Sequence, residues 1–188
     1  LIFSIPLGVL IAFALQVHWK PLHHLINIYI WIMRGTPLLL QLIFIYYVLP
    51  SIGIRLDRLP AAIIAFVLNY AAYFAEIFRG GIDTIPKGQY EAAKVLKFSP
   101  VDTVRYIILP QVTKIVLPSV FNEVMSLVKD TSLVYALGIS DLILVSRTAA
   151  NRDVSLVPMF LAGFIYLFLI GLVTILSKKI EKKYSYYR

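Results

Sequence analysis

From Leu156 to Leu176 the chain runs twenty-one residues without a charged side chain. Wound as a helix at 1.5 Å per residue, such a run is about as long as a bilayer's hydrocarbon core is thick, close to 30 Å. No water is present at that depth to pair with backbone N–H and C=O groups, so the run must satisfy its own backbone as a helix. The rest of the sequence has the same character. Hydrophobic residues make up 60% of the chain and mean hydropathy is +0.82, beyond what a soluble domain carries. The expected fold class is therefore all-α, a polytopic membrane protein with about five transmembrane helices.

The first expected span is Leu1 to Val17, about 25 Å of helix and slightly short for a crossing. It begins on an apolar Leu1, which suggests that the natural start is missing. No basic stretch precedes it and no small-residue cleavage site follows, so it does not read as a signal peptide. The second span includes Leu38 to Leu49, too few residues to cross alone. It draws on Leu25–Met33, before Arg34-Gly35-Thr36-Pro37, or continues past Pro50 toward Ile54. The third runs from Pro60 to Phe78, with Gly80-Gly81 expected to end its helix. The fourth runs from Ile115 to Leu137, where Pro110 and Pro118 are expected to bend the approach. Leu156 to Leu176 is the fifth.

Basic residues orient these spans. One set of loops holds Lys20, Arg34, Arg79, Lys87, Lys94, Lys97, Arg105, Lys114 and the tail Lys178, Lys179, Lys182, Lys183 and Arg188; the other holds only Arg55, Arg58, Arg147 and Arg152. By the positive-inside rule the first set and the C-terminus are cytoplasmic. Tyr184, Tyr186 and Tyr187 suit an anchor in lipid headgroups. The net charge of +8 thus belongs to loops facing the cytoplasm. No basic-aromatic module accompanies it, which argues against nucleic acid.

Within the fourth span the segment 121–130 carries charge into an apolar environment. A charge near the bilayer centre costs about 2.5–3.5 kcal/mol on insertion scales, so it normally faces a polar cavity or a partner. Ser119, Glu123, Ser126 and Asp130 share one helical stripe, and Asn122, Ser126 and Lys129 a neighbouring one. Glu123 and Lys129 lie six residues apart and cannot pair along the helix. Two readings follow: a polar network holding helices together, or a site for a polar solute, which is favoured. Asn69, Tyr73, Glu76 and Gly80 form a second stripe on the third span. Glu76 either lines the path or pairs with Arg79 or Arg34, and Gln41 either meets the solute or makes an interhelical hydrogen bond. The adjacent His23 and His24 lack the spacing of a helical metal pair, so no metal site is expected.

Between the third and fourth spans the hydrophilic stretch from Arg79 to Arg105 is organised. Pro86 precedes a helix expected over Lys87 to Phe98, with Tyr90, Ala93 and Leu96 on one side. Ser99-Pro100-Val101-Asp102 then reads as a fresh start, with Ser as N-cap, Pro in the first turn and Asp closing a capping box.

The segment YEAAKVLKFSPVDTVRYIILPQ (90–111) resembles the cytoplasmic coupling loop of ABC-importer permeases. RGTPLLLQ (34–41), NYAAYFAEIFRGGI (69–82), IPKGQYEAA (85–93) and KDTSLVYALG (129–138) resemble the polar-amino-acid branch of that family. Together they span about residues 30 to 176 in family order. One departure is Lys97, which stands where the family's loop usually has Gly. The resemblance implies a single permease domain over 1–188 of the MetI-like permease fold, with its cytoplasmic coupling loop at 84–104. It implies ATPase coupling through Gly88, Glu91, Ala92, Ala93, Lys97 and Ser99. It also implies a second permease subunit, identical or not, and two cytoplasmic ATPase subunits that hold ATP and Mg, with no cofactor in this chain. A delivery protein or fused domain outside the membrane completes the set, and the setting is a bacterial inner membrane in contact with lipid.

As an amino acid site the resemblance points to Glu123, Lys129 and Asp130, with Asn122, Ser126, Thr131 and Glu76 beside them. Two carboxylates on one stripe favour a cationic amino acid (arginine, histidine or lysine), with glutamine close behind. A passive channel or a secondary transporter is the rival, although no internal repeat appears. No nucleotide-binding Gly-rich Lys motif is present, so energy must come from elsewhere. With no Cys, no paired His and no Gly-x-Ser-x-Gly elbow, the chain does not read as an enzyme.

Overall fold

The computed structural model describes residues 1–184. The expectations placed on Tyr186, Tyr187 and Arg188 lie outside the described residues. In chain order the helices are α1 (Ser4–Ala14), α2 (Lys20–Gly35), α3 (Leu38–Ile43), α4 (Arg58–Asp83) and α5 (Lys87–Val95), then α6 (Pro100–Asp102), α7 (Leu109–Asp130), α8 (Leu142–Asp153) and α9 (Val157–Tyr184). Among the described residues all regular structure is helical. α3 runs on through a π segment (Phe44–Val48) and a 3-10 turn (Leu49–Ile52). Between α6 and α7 lies a second π segment, Thr103–Ile108, and after α7 a 3-10 stretch, Thr131–Leu137. From Pro100 to Leu137 these form one helix of 38 residues. Pro110 and Pro118 are carried inside it. Pro110 has no N–H to give Tyr106, and the π segment just before it absorbs that loss.

Among the described residues three helices, α4, Pro100–Leu137 and α9, are long and apolar enough to cross a membrane. α2 and the Leu38–Ile52 stretch make a fourth if counted together, but they meet at 105°. Leu25–Met33 belongs to its own helix, and the chain turns sharply at Thr36-Pro37. α1, with 11 residues, is a shorter apolar helix.

α4 is the hub, contacting α1, α2, α3 and α7. Over its most apolar stretch α4 is 56% buried, against 6% for α9, so α4 is the centre and α9 the outer flank of this chain. Small residues make this closeness available. Ala61, Ala62, Ala65, Ala71, Ala72 and Ala75 are buried along α4. Gly8 of α1 lies where a Cβ would fall 2.5 Å from Phe74 Cβ and 3.0 Å from the Ala71 carbonyl. Gly80 and Gly81 do not end the helix, which continues to Asp83. Gly81 instead serves close approach: a Cβ there would collide with Val116 Cγ1 and lie 3.1 Å from Val112 Cγ1 on α7.

The turn around α5 departs from expectation in one respect and keeps to it in another. α5 stops at Val95 and only Ala93 is buried; Tyr90 and Leu96 stay exposed. Lys97 takes φ of 58°, Phe98 N–H donates to the Ala93 carbonyl at 3.0 Å, and Lys97 N–H to that of Lys94 at 3.1 Å. That is a Schellman ending, built on a residue with a Cβ where glycine would be unstrained. Ser99 then caps α6 as expected: its Oγ accepts from Asp102 N–H at 3.1 Å and donates to the Asp102 carboxylate at 2.7 Å.

Candidate functional site: a charged cavity at a broken helix

The 105° turn between α2 and α3 exposes carbonyls that a continuous helix would have paired, and at membrane depth they need partners. Two amides from different helices supply them. Gln41 Nε2 donates to the Met33 carbonyl (2.9 Å) and to Thr36 Oγ1 (2.8 Å). Asn69 Nδ2 on α4 donates to the same Met33 carbonyl (2.9 Å) and to Gln41 Oε1 (3.1 Å). Thr36 Oγ1 donates to the Ile32 carbonyl at 2.8 Å. Gln41 is thus an interhelical hydrogen-bonding residue. The break is a corner tied by side-chain bonds to the Ile32, Met33 and Thr36 carbonyls.

That corner forms one wall of a cavity of about 680 Å³, lined by Arg34, Gly35, Thr36, Pro37, Leu38 and Leu39. α4 contributes Asn69, Tyr70 and Tyr73, and the Pro100–Leu137 helix contributes Glu123, Ser126, Lys129, Asp130 and Leu133. Helical spacing brings the α7 members to one side. Tyr70, only 2% exposed, donates its phenol to Asp130 Oδ2 at 2.7 Å, fixing that carboxylate from across the helix interface. Glu123 is half-buried, attracted by Arg34 and repelled by Asp130. Lys129 is exposed. Arg34 lies over the Tyr73 ring at 5.3 Å, a cation–π distance.

Of the residues singled out in the sequence, Glu123, Ser126, Lys129 and Asp130 meet at this cavity. Asn122 and Thr131 do not line it; Thr131 Oγ1 donates to its own helix at the Val128 carbonyl, 2.7 Å. Glu76 lies behind the wall in ion pairs with Arg79 (2.9 Å) and Arg34 (3.4 Å). Asn69 and Tyr73, which share the second stripe on the third span, line the wall too, whereas sequence reasoning missed Arg34, Thr36 and Tyr70 as wall residues. The clue for Arg34 was an arginine directly before Gly-Thr-Pro at the end of an apolar run; for Tyr70 no local signal exists. Among the described residues no group of three His, Cys, Asp or Glu is placed to hold a metal ion.

Residues 4–186 match the family described as "Binding-protein-dependent transport system inner membrane component". The chain belongs to that family. This permease is 36% identical over 188 residues to the L-cystine transport system permease protein TcyB of Bacillus subtilis, covering 99% of this chain and 80% of that one. It is 34% identical to the arginine transport system permease protein ArtQ of the same organism, covering 97% and 84%. Its fold superposes with a TM-score of 0.87, at 31% identity, on a solved "amino acid ABC transporter with histidines", covering 96% of this chain and 85% of that one. The permease fold and multi-pass membrane character expected from the sequence therefore hold.

Proposed function

We propose that this permease is the membrane subunit of an ATP-driven amino acid importer and that the charged cavity is where the amino acid passes. The observation that carries this reading is the presence of both signs of charge, Arg34 and Lys129 with Glu123 and Asp130, around one cavity among apolar helices. A free amino acid presents the complementary pair, a carboxylate and an ammonium. Desolvating both ends is tolerable only where both find charged partners. The relatives named for cystine and arginine carry cargo that shares those two groups and differs in side chain. With one carboxylate engaging the α-ammonium, the second remains for a side chain. That favours arginine, histidine or lysine, with glutamine as the neutral alternative. Ser126 supplies a neutral hydrogen-bonding group.

Energy enters from the cytoplasmic side through the turn around α5. Glu91, Ala92 and Gly88 are exposed there, and Val95, Leu96 and Val101 are 80%, 69% and 73% exposed. This is an apolar surface that carries Glu91 among exposed lysines for a separate ATPase to grip, with ATP and Mg bound in that partner. A second permease subunit, identical or not, and a delivery protein or domain outside the membrane complete the assembly. Alternation between the two openings requires a bistable arrangement of the helices about the cavity.

The test is uptake by the assembled importer in proteoliposomes, with labelled arginine competed by histidine, lysine, glutamine and glutamate. Inhibition by the first three, with glutamine next, is expected. Uptake of glutamate alone, indifferent to arginine, would remove the case for this cargo. Flux that survives Glu91→Lys without ATP coupling would instead identify a passive path.

A further inference from the structure

Arg34 stands between two anionic demands. On the side away from the cavity, its Nη1 lies 3.4 Å from Glu76 Oε2, longer than the roughly 2.7–2.9 Å of a tight charge-assisted hydrogen bond. The same oxygen is held at 2.9 Å by Arg79 Nη2, while Arg79 Nε holds Glu76 Oε1 at 3.2 Å. Arg79 therefore grips Glu76 with both arms of its fork, and Arg34 has only the weaker share. A third nitrogen of Arg79, Nη1, reaches Asp83 Oδ2 at 3.0 Å, so the row Arg34, Glu76, Arg79 and Asp83 is charge-balanced. Tyr73 covers one face of the Arg34 guanidinium. Its five N–H donors are not used up by a single long ion pair, and Arg34 is among the residues that line the cavity.

The geometry points to Arg79 and Glu76 as the residues that set how strongly Arg34 holds the carboxylate of the cargo. Arg79 is a positioning residue: by saturating Glu76 it keeps that carboxylate from capturing Arg34, which stays turned toward the cavity. Glu76 is, beside Glu123 across the cavity, an internal competitor of the cargo carboxylate. This rests on the cavity being the cargo site proposed above. It goes beyond it by making selection for the carboxyl group depend on a pair that the cargo never touches.

The experiment measures equilibrium binding to the permease–ATPase complex in lipid nanodiscs, without the delivery protein, so that the delivery protein's own selectivity does not enter. Each probe is paired with its decarboxylated counterpart: L-arginine with agmatine, and L-glutamine with 4-aminobutanamide. Glu76→Gln removes that competitor and is expected to tighten binding of the carboxylate-bearing probe about threefold, because the 3.4 Å pair it releases is weaker than a tight charge-assisted bond, leaving its counterpart unchanged. Arg79→Gln frees Glu76 to seize Arg34 and weakens the carboxylate-bearing probe by a similar factor. The double variant Glu76→Gln/Arg79→Gln restores binding, because neither that competitor nor its restraint remains.

A purely structural role would move each probe and its counterpart together, and that result overturns the inference, as does no change in any variant. Glu76→Gln reads in the direction of gain, so a poorly folded Arg79→Gln does not rescue the proposal from refutation. If wild type binds neither L-arginine nor L-glutamine, or if Glu123→Gln and Asp130→Asn leave binding untouched, the cargo site itself is wrong and this inference falls with it. If wild type prefers the carboxylate-bearing probes while Glu76 and Arg79 variants do not alter that preference, only the present inference fails.

Discussion

Gly80 and Gly81 are neighbours on α4, yet adding one methyl to each should have opposite results. Gly80 is exposed with nothing within 4 Å of a built Cβ, whereas Gly81 is buried against Val116 and Val112 of α7. In a helix interior Ala is favoured over Gly by about 0.8–1.0 kcal/mol, so Gly80→Ala should stabilise by up to about that much. Gly81→Ala gains the same backbone term but must displace Val116 Cγ1. Val116 and Val112 are 4% and 1% exposed, and a β-branched side chain has few rotamers into which it can retreat. Overpacking of this kind costs about 1–3 kcal/mol, so the net change should lie between about zero and a loss of about 2 kcal/mol. Because both variants share the backbone gain, they should differ by the overpacking cost itself, about 1–3 kcal/mol. Thermal unfolding of the purified protein in detergent, followed by intrinsic fluorescence, reads the difference as a shift of roughly 2–4 °C per kcal/mol for a chain of this size. Trimming Val116 to Ala in the Gly81→Ala background should recover part of the loss. If Gly81→Ala is as stable as Gly80→Ala, the close α4–α7 approach does not exist.

Lys97→Gly should raise the unfolding temperature, because it relieves the left-handed residue in the Schellman ending, worth about 1 kcal/mol; a lowered temperature would contradict that conformation. Asn69→Leu leaves the Met33 carbonyl with one donor fewer at the α2–α3 corner. It should destabilise by about 1–3 kcal/mol, while Asn69→Gln should lose less, both measured by the same melts. Tyr70→Phe removes the 2.7 Å bond to Asp130. It should raise the KM for amino acid uptake severalfold with little change in the amount of protein inserted, and an unchanged KM would remove Asp130 from the cargo contacts.

Much of the local structure could be read from the residues in order. Ser99 and Asp102 stand at capping-box spacing and form one. Glu123, Ser126 and Asp130 stand at helical spacing and reach one cavity wall. These succeed because a cap or a stripe depends on residues within a turn or two of one another. Gly80-Gly81 misled because the same dipeptide that ends a helix also lets two helices touch, and only the neighbour decides which. Lys97 misled in the opposite sense, since contacts around the turn impose a conformation its own side chain disfavours.

The sequence by itself determined that this is a helical membrane protein with charge on one stripe of its fourth span, and a family pattern that the comparisons bear out. The tertiary structure alone decided that α4 is the hub and α9 the flank, and that Arg34, Asn69, Tyr70 and Tyr73 join that stripe around one cavity. The reason lies in the solvent. In water an apolar face marks the core, but lipid tails are as apolar as a leucine side chain, so hydrophobicity cannot say whether a helix faces lipid or protein. Partners across the interface are then chosen by small residues that permit contact and by polar groups that need one another. Neither kind of pairing leaves a period in the chain.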